Sequence, residues 1–134
     1  MAGMSERGWY PPSADDIVRL GQEILADLPE PFRTPLRDVP VVVQELAEDE
    51  VVKDLGLENP YDLTGLYAGI PVGLHEARES GAPPDMIFLF RQAILAEWCE
   101  TDVDFNDLVR NVLIHEIAHH FGWSDEDIER VEFG

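Results

Sequence analysis

Two histidines and a glutamate near the carboxyl end of the sequence have residue types and a spacing that can hold a metal ion. His115 and His119 are four residues apart, and Glu116 directly follows the first of them. On an α-helix this spacing places the histidines about 40° apart around the axis and one turn apart along it, so both imidazoles can reach one ion. A zinc ion takes such nitrogens, a third protein ligand and a water. Glu116 can then activate that water as a general base, and the pattern predicts metal-assisted hydrolysis.

A glycine and a carboxylate follow the second histidine at positions that suit the same site. Gly122 comes three residues after His119, and glycine readily takes the left-handed conformation in which many helices end. Asp125 comes three residues later, where its carboxylate can return toward the metal once the chain has turned. The run from His115 to Asp125 therefore predicts a helix, a turn and a third metal ligand, the carboxylate oxygen of Asp125.

A long apolar helix is predicted to carry the motif. Thr101 and Asp104 have the spacing of a capping box at its start, and Gly122 follows its last turn. A short helix over 124–131 is expected next, and Ser124 as its N-cap would fix Asp125 close to the metal. The apolar face of the long helix is formed by Phe105, Leu108, Val109, Val112, Leu113 and Ile117.

Predicted strands and helices in the rest of the chain indicate an α+β fold, with a small mixed β-sheet packed on the metal-binding helix. Ser13 caps a first helix that continues at helical spacing until Pro29, and Pro40 favours either an edge position or a strand start for the strand around it. The other predicted elements are a strand over 39–46, an acidic helix over 47–55 closed by Gly56, a strand or hairpin over 63–72, a surface loop over 73–84, a buried strand over 85–90 and a helix over 91–100.

The length and composition fit one globular domain. The chain has 134 residues, of which 45% are hydrophobic, enough for a single core. Residues 1–12 end in two prolines, and we expect them to form a flexible N-terminal arm. Residues 13–134 are then expected to form a single domain.

The charge of the chain restricts its partners. There are 28 acidic and 9 basic residues, a formal net charge of -19. Such a negative field repels nucleic acid and anionic lipid, so neither is expected as a partner. The expected substrate is a peptide or a small amide. An unknown protein partner is a further expectation.

Cysteine use and hydropathy point to a cytoplasmic location. Cys99 is the single cysteine, so the chain forms no internal disulfide, and we expect a small buried apolar side chain there. The amino terminus has no apolar signal region, and no stretch approaches the ~18 apolar residues of a membrane span.

The motif resembles the HExxHxxGxx(H/D) signature of the metzincin-like zincins. The chain is most similar to a family of small bacterial zincin-like proteins described as minimal zinc metallopeptidases. The likeness runs from about Val39 to the C-terminus, and the metal motif is its specific part. Supporting segments are Val-Pro-Val-Val-Val at 39–43, Leu-Tyr-Ala-Gly at 66–69, Ile-Phe-Leu-Phe-Arg at 87–91 and Val-Arg at 109–110.

This resemblance implies a zincin-like domain over residues 13–134 that binds Zn²⁺ through His115, His119 and Asp125. It also implies Glu116 as the general base of a zinc metallopeptidase, and Gly122 as the turn. Two features depart from the metzincin pattern. Asp125 stands where most metzincins have histidine, although an aspartate oxygen also binds zinc. No methionine follows Asp125 to form the methionine turn.

Two further interpretations stay open at this stage. The zincin scaffold can serve a catalytically silent protein that binds metal or a partner, and an HExxH match can also occur in a helix that binds no metal. Glu116 favours the hydrolase, because a purely structural metal site has no need of a base. For the hydrolase we expect the peptide to lie along an edge strand, either the strand over 86–90 or its neighbour.

Overall fold

The computed structural model describes residues 10–69 and 85–133. The predicted loop over 73–84, most of the predicted arm and the end of the segment 63–72 lie outside these residues. The described part is α+β, as predicted, with a small three-stranded mixed sheet. Within these ranges the side chains that are not described are those of His119, His120, Asp125 and residues 131–133.

The elements are α1 (Ala14–Ala26), β1 (Val41–Gln44), α2 (Asp49–Asp54), β2 (Gly65–Ala68), β3 (Met86–Phe90), α3 (Arg91–Glu100), α4 (Phe105–Phe121) and α5 (Asp125–Phe133), with 3-10 turns at Thr34–Leu36 and Pro60–Asp62.

The sheet has the order β1-β3-β2. β1 is parallel to β3, with Val41 opposite Ile87, and β2 is antiparallel to β3, with Gly65 opposite Leu89. The edge position predicted for the strand after Pro40 is confirmed within the described residues. The suggestion that the strand over 86–90 is itself an edge for substrate is wrong, because β3 pairs on both sides. Its neighbours β1 and β2 lie at the two ends of the described sheet.

Two apolar clusters lie on opposite faces of the sheet. Ile87 and Leu89 have no exposed surface and face α1 and α4, whose Ile17 and Leu113 are likewise fully buried. Phe90, one residue along β3, faces the other way, because side chains alternate along a strand. It packs in a smaller cluster that includes residues of α2 and α3. In the described part of the chain, no helix is long and apolar enough to cross a membrane.

Local sequence signals account for the two ends of the first helix. The Ser13 hydroxyl accepts a hydrogen bond from the Asp16 N–H, and the Asp16 carboxylate accepts one from the Ser13 N–H. This reciprocal pair satisfies two N–H groups that a helix start leaves without partners. Pro12, directly before the cap, is also held, since its carbonyl accepts a hydrogen bond of 2.8 Å from Arg91 Nε. The first helix is thereby joined to the start of α3.

The predicted capping box at the start of α4 is wrong. Thr101 ends α3, where its hydroxyl donates to the Glu97 carbonyl at 2.9 Å. Asp104 is the N-cap of α4, and its carboxylate accepts a hydrogen bond of 3.2 Å from the Asp107 N–H. Because the Thr101 side chain is hydrogen-bonded to α3, Asp104 alone caps α4.

The burial predicted for Cys99 is also wrong, because the thiol is exposed. The buried residues of α3 are Ala93 and Ile94. Cys99 is five and six residues further along, which on a helix with 100° per residue places it on the opposite side. The neighbouring Trp98 is half-buried and packs edge-to-face against Phe105 at 5.1 Å, as expected for a rim aromatic.

Replacing Ile17 by alanine tests whether α1 completes the core. Ile17 has no exposed surface, so Ile17→Ala should lower the free energy of unfolding by about 2–5 kcal/mol through lost burial and a residual cavity. Val103, which is 45% exposed, is the control, and Val103→Ala should cost less than about 0.5 kcal/mol. Urea denaturation followed by circular dichroism measures both. Equal losses would contradict the assignment of Ile17 to the core.

Candidate metal centre

α4 carries the predicted site residues on a continuous stretch of helix. Its backbone is helical from Phe105 to Phe121, so His115 and His119 lie one turn apart, as predicted. His115 is exposed, whereas Glu116 is half-buried. The side chain of His119 is outside the described set. The approach of the two imidazoles to one ion therefore stays a prediction.

β2 lies close against α4 at Glu116. Gly65 is buried there, and a Cβ atom added to it would stand 3.4 Å from Glu116 Cγ and 2.7 Å from Val112 Cγ1. The stem of Glu116 therefore lies where a side chain at position 65 would reach it. Gly65 was not predicted as a site residue. The signal that would have pointed to it is a glycine inside the predicted strand over 63–72, since such glycines mark close approach of another group.

The turn after α4 has the conformation predicted for it. Gly122 has φ 66° and ψ 33°, in the left-handed region, and its N–H donates to the carbonyl of Ala118. The N–H of Trp123 also donates to the Ala118 carbonyl, at 3.0 Å. Glycine adopts this conformation without the steric penalty of a side chain. The chain therefore leaves α4 in a fixed direction three residues after the second histidine.

A second reciprocal cap fixes the start of α5. The Ser124 hydroxyl accepts from the Asp127 N–H at 3.1 Å, and the Asp127 carboxylate accepts from the Ser124 N–H at 3.1 Å. These bonds, and the nearby Arg130 guanidinium, lower the pKa of the Asp127 carboxyl. Asp125 is the first residue of α5, so the cap fixes its backbone position. Its side chain is outside the described set.

Aromatic rings pack around the turn and join it to distant parts of the fold. Trp123 packs on Phe32, which follows α1, with ring centroids 4.3 Å apart. Phe121 lies between Trp123, at 6.0 Å, and Tyr67 of β2, at 6.1 Å. Arg130 of α5 lies over the Phe32 ring at 5.1 Å. The packing of Phe32 and Tyr67 near this turn was not predicted, because no local pattern links these residues to a turn so far along the chain.

A family model described as "Zincin-like metallopeptidase" matches residues 36–134, about three quarters of the chain. This chain belongs to the zincin-like metallopeptidase family. The match spans β1 to α5 and includes the whole metal motif. No curated protein matches the sequence. Family membership confirms the resemblance to zincins, and it associates the chain with metallopeptidase chemistry and zinc. The narrower metzincin type stays a prediction.

The donor set of this zincin-like chain fits zinc. Two imidazoles and a carboxylate are a common three-ligand set for zinc sites that leave a position for water. In the structure, His115 reaches the surface, the helix keeps the second histidine in register, and the capped start of α5 holds the backbone of Asp125. Among the described side chains there is no cluster of three potential metal ligands, and two of the three candidates lie outside that set.

Substituting Gly122 tests the role of the turn in the zincin-like site. Gly122 and Gly56 have φ values of 66° and 72°, and an added Cβ would meet nothing within 4 Å at either. Gly122→Ala and Gly56→Ala should therefore each cost about 1–2 kcal/mol of stability through backbone strain alone. Only Gly122→Ala should also weaken zinc binding, by at least about tenfold, as other changes that misplace ligands do. Thermal unfolding and competitive zinc titration measure the two effects. Unchanged zinc affinity in Gly122→Ala would contradict this role.

The pKa of Asp127 gives a pH-dependent test of the α5 cap. Because folding lowers this pKa, the stabilisation is present above the ordinary value of 3.8 and is lost as the pH falls below it through the folded pKa. Asp127→Asn should therefore lower the melting temperature at pH 7, and the difference from wild type should close in strong acid. Glu129→Gln, on the exposed side of α5, removes the same charge and should lack this trend. A difference that persists at the acid end would contradict the assignment.

Proposed function

We propose that this zincin-like protein is a zinc-dependent hydrolase of peptide or amide bonds. His115, His119 and Asp125 are the proposed zinc ligands, and Glu116 is the proposed general base. The observation that carries the proposal is the close packing of β2, at Gly65, on the side of α4 that bears the half-buried Glu116, in a chain of the zincin-like family. A base next to a strand suits an extended peptide substrate, whereas a purely structural metal site needs neither.

The chain's own residues perform the proton transfers. Zinc, when bound, supplies a Lewis acid that lowers the pKa of water toward ~7 and polarises the substrate carbonyl. Glu116 takes a proton from the attacking water as the carbon–oxygen bond forms. It then gives this proton to the leaving nitrogen as the carbon–nitrogen bond breaks. One water is consumed, and the products are a carboxylic acid and an amine.

β2 is the proposed docking strand for the substrate. Among the described residues it lies at the end of the order β1-β3-β2, and a Cβ added to its Gly65 would stand 3.4 Å from Glu116 Cγ. β1, at the other end of the described sheet, packs against α1. An extended peptide beside β2 would pair with it through backbone hydrogen bonds. This pairing is independent of sequence, so preference among peptides would come from the side-chain surroundings.

Metal content and peptide cleavage test the proposal together. Purified wild-type protein should hold about one zinc per chain by mass spectrometry, as expected for three protein ligands around one ion. His119→Ala and Asp125→Ala should lose this zinc. Glu116→Gln should keep it and lower the rate of cleavage of a mixed peptide library by about 10²–10⁴-fold. Glu129→Gln, an exposed carboxylate of α5, is the matched control and should behave as wild type in both assays.

The possible results separate the hydrolase from its rivals. Zinc that is lost in both ligand variants, with cleavage that depends on Glu116, supports the hydrolase. Stoichiometric zinc without cleavage of any peptide or amide would instead indicate a catalytically silent zincin scaffold. Absence of bound metal after reconstitution with zinc would contradict the site itself.

A further inference from the structure

Gly65 is buried at the point where β2, β3 and α4 meet. A Cβ at this position would stand 2.7 Å from Val112 Cγ1, 3.3 Å from the carbonyl oxygen of Phe88 and 3.4 Å from Glu116 Cγ. A separation of 2.7 Å is shorter than real Cβ atoms tolerate, and 3.3 Å to backbone is tight. A side chain at position 65 would therefore force a shift at this junction of β2 and α4.

The need for glycine here is spatial rather than conformational. Gly56 and Gly122 have positive φ values, and among the described glycines these are the two that do. Gly65 instead has ordinary strand pairing, opposite Leu89 of β3. Gly65 is the first residue of β2, and glycine weakens a strand because it has the largest backbone entropy to lose and no side chain to pack. Its presence in a strand of four residues is explained by the close approach of α4.

The two side chains of α4 nearest to Gly65, those of Val112 and Glu116, have different roles. Val112 and Glu116 are four residues apart on α4 and so share one side of the helix. Val112 is a core residue with 8% of its surface exposed, and Glu116 is the proposed base. A side chain at position 65 would therefore meet Val112 more closely than it would meet Glu116.

We propose that Gly65 is a positioning residue, which sets the distance between the substrate-docking strand β2 and the carboxylate of Glu116. This inference rests on the proposed function of the site. A peptide paired with β2 moves with that strand, whereas Glu116 is fixed on α4. A displacement of β2 by even a fraction of an ångström therefore changes the distance between the scissile carbonyl and the base, without any change in the zinc ligands.

Three variants separate this role from simple packing. Gly65→Ala introduces the collision with Val112 and should displace β2. Val112→Ala leaves a cavity in the core without a force on β2, and it is the control for lost stability. The double variant Gly65→Ala/Val112→Ala removes Val112 Cγ1, the atom in the closest contact, and should let β2 return.

Activity is measured well below each melting temperature, with zinc content checked in each sample. Gly65→Ala should hold zinc as wild type does and lose about 10- to 100-fold in kcat with KM nearly unchanged, since a small misplacement of reacting groups costs rate. Val112→Ala should keep the wild-type kcat, and the double variant should regain most of it. Equal losses in Gly65→Ala and Val112→Ala, in proportion to their stability, would overturn the proposal. Full kcat in folded Gly65→Ala would also overturn it.

A readout on the zinc-free protein does not depend on activity. Wild type, Val112→Ala and the double variant should show a nuclear Overhauser effect between the α-proton of residue 65 and the γ-protons of Glu116. The effect should weaken in Gly65→Ala. Its absence in wild type would overturn the proposal. If the pattern is found but the wild type cleaves nothing, the hydrolase fails while the spacing role of Gly65 stands.

Discussion

The site depends on how tightly α4 is enclosed. Leu113, Ile114 and Ile117 have no exposed surface, although they point in different directions from the helix axis. α4 contacts α1, β2, α3 and α5, so it is held from several sides. His115 lies on the part of the helix that reaches solvent, with Glu116 at the boundary beside β2. The positions of the chemical groups therefore follow from core packing, which fixes the helix against rotation and translation.

The elements that could be predicted are those whose ends are set by local chemistry. Ser13 with Asp16, and Ser124 with Asp127, satisfy N–H groups within one turn, so a short pattern is enough to place a helix start. Gly122 ends α4 for an equally local reason, its left-handed conformation. The spacing of the histidines and Glu116 is a property of the helix itself. The motif and its turn were therefore readable from the sequence.

The features that could not be predicted depend on contacts between distant segments. Nothing in the residues around Gly65 indicates that β2 lies on Glu116, and the place of β3 at the centre of the sheet depends on both of its partners. The wrong cap at Thr101 has a related cause. Thr101 and Asp104 both have side chains that can cap a helix, and they are three positions apart. The Thr101 hydroxyl is hydrogen-bonded at the end of α3, and Asp104 caps α4. The site was thus predicted as a set of residues on a helix, without the close approach of β2 to that helix at Gly65.

The segment that matches the zincin-like family is smaller than the unit that packs together. The match begins at residue 36, after α1, yet Ile17 of that helix belongs to the same core as α4. α1 also packs closely on the sheet, since a Cβ at Gly21 would stand 3.2 Å from Val41 Cγ1. Phe32 also precedes the matched segment, and its ring packs against Trp123, the residue directly after the turn. The metal motif is recognisable in the matched segment alone, but the support of its turn comes partly from side chains that precede it.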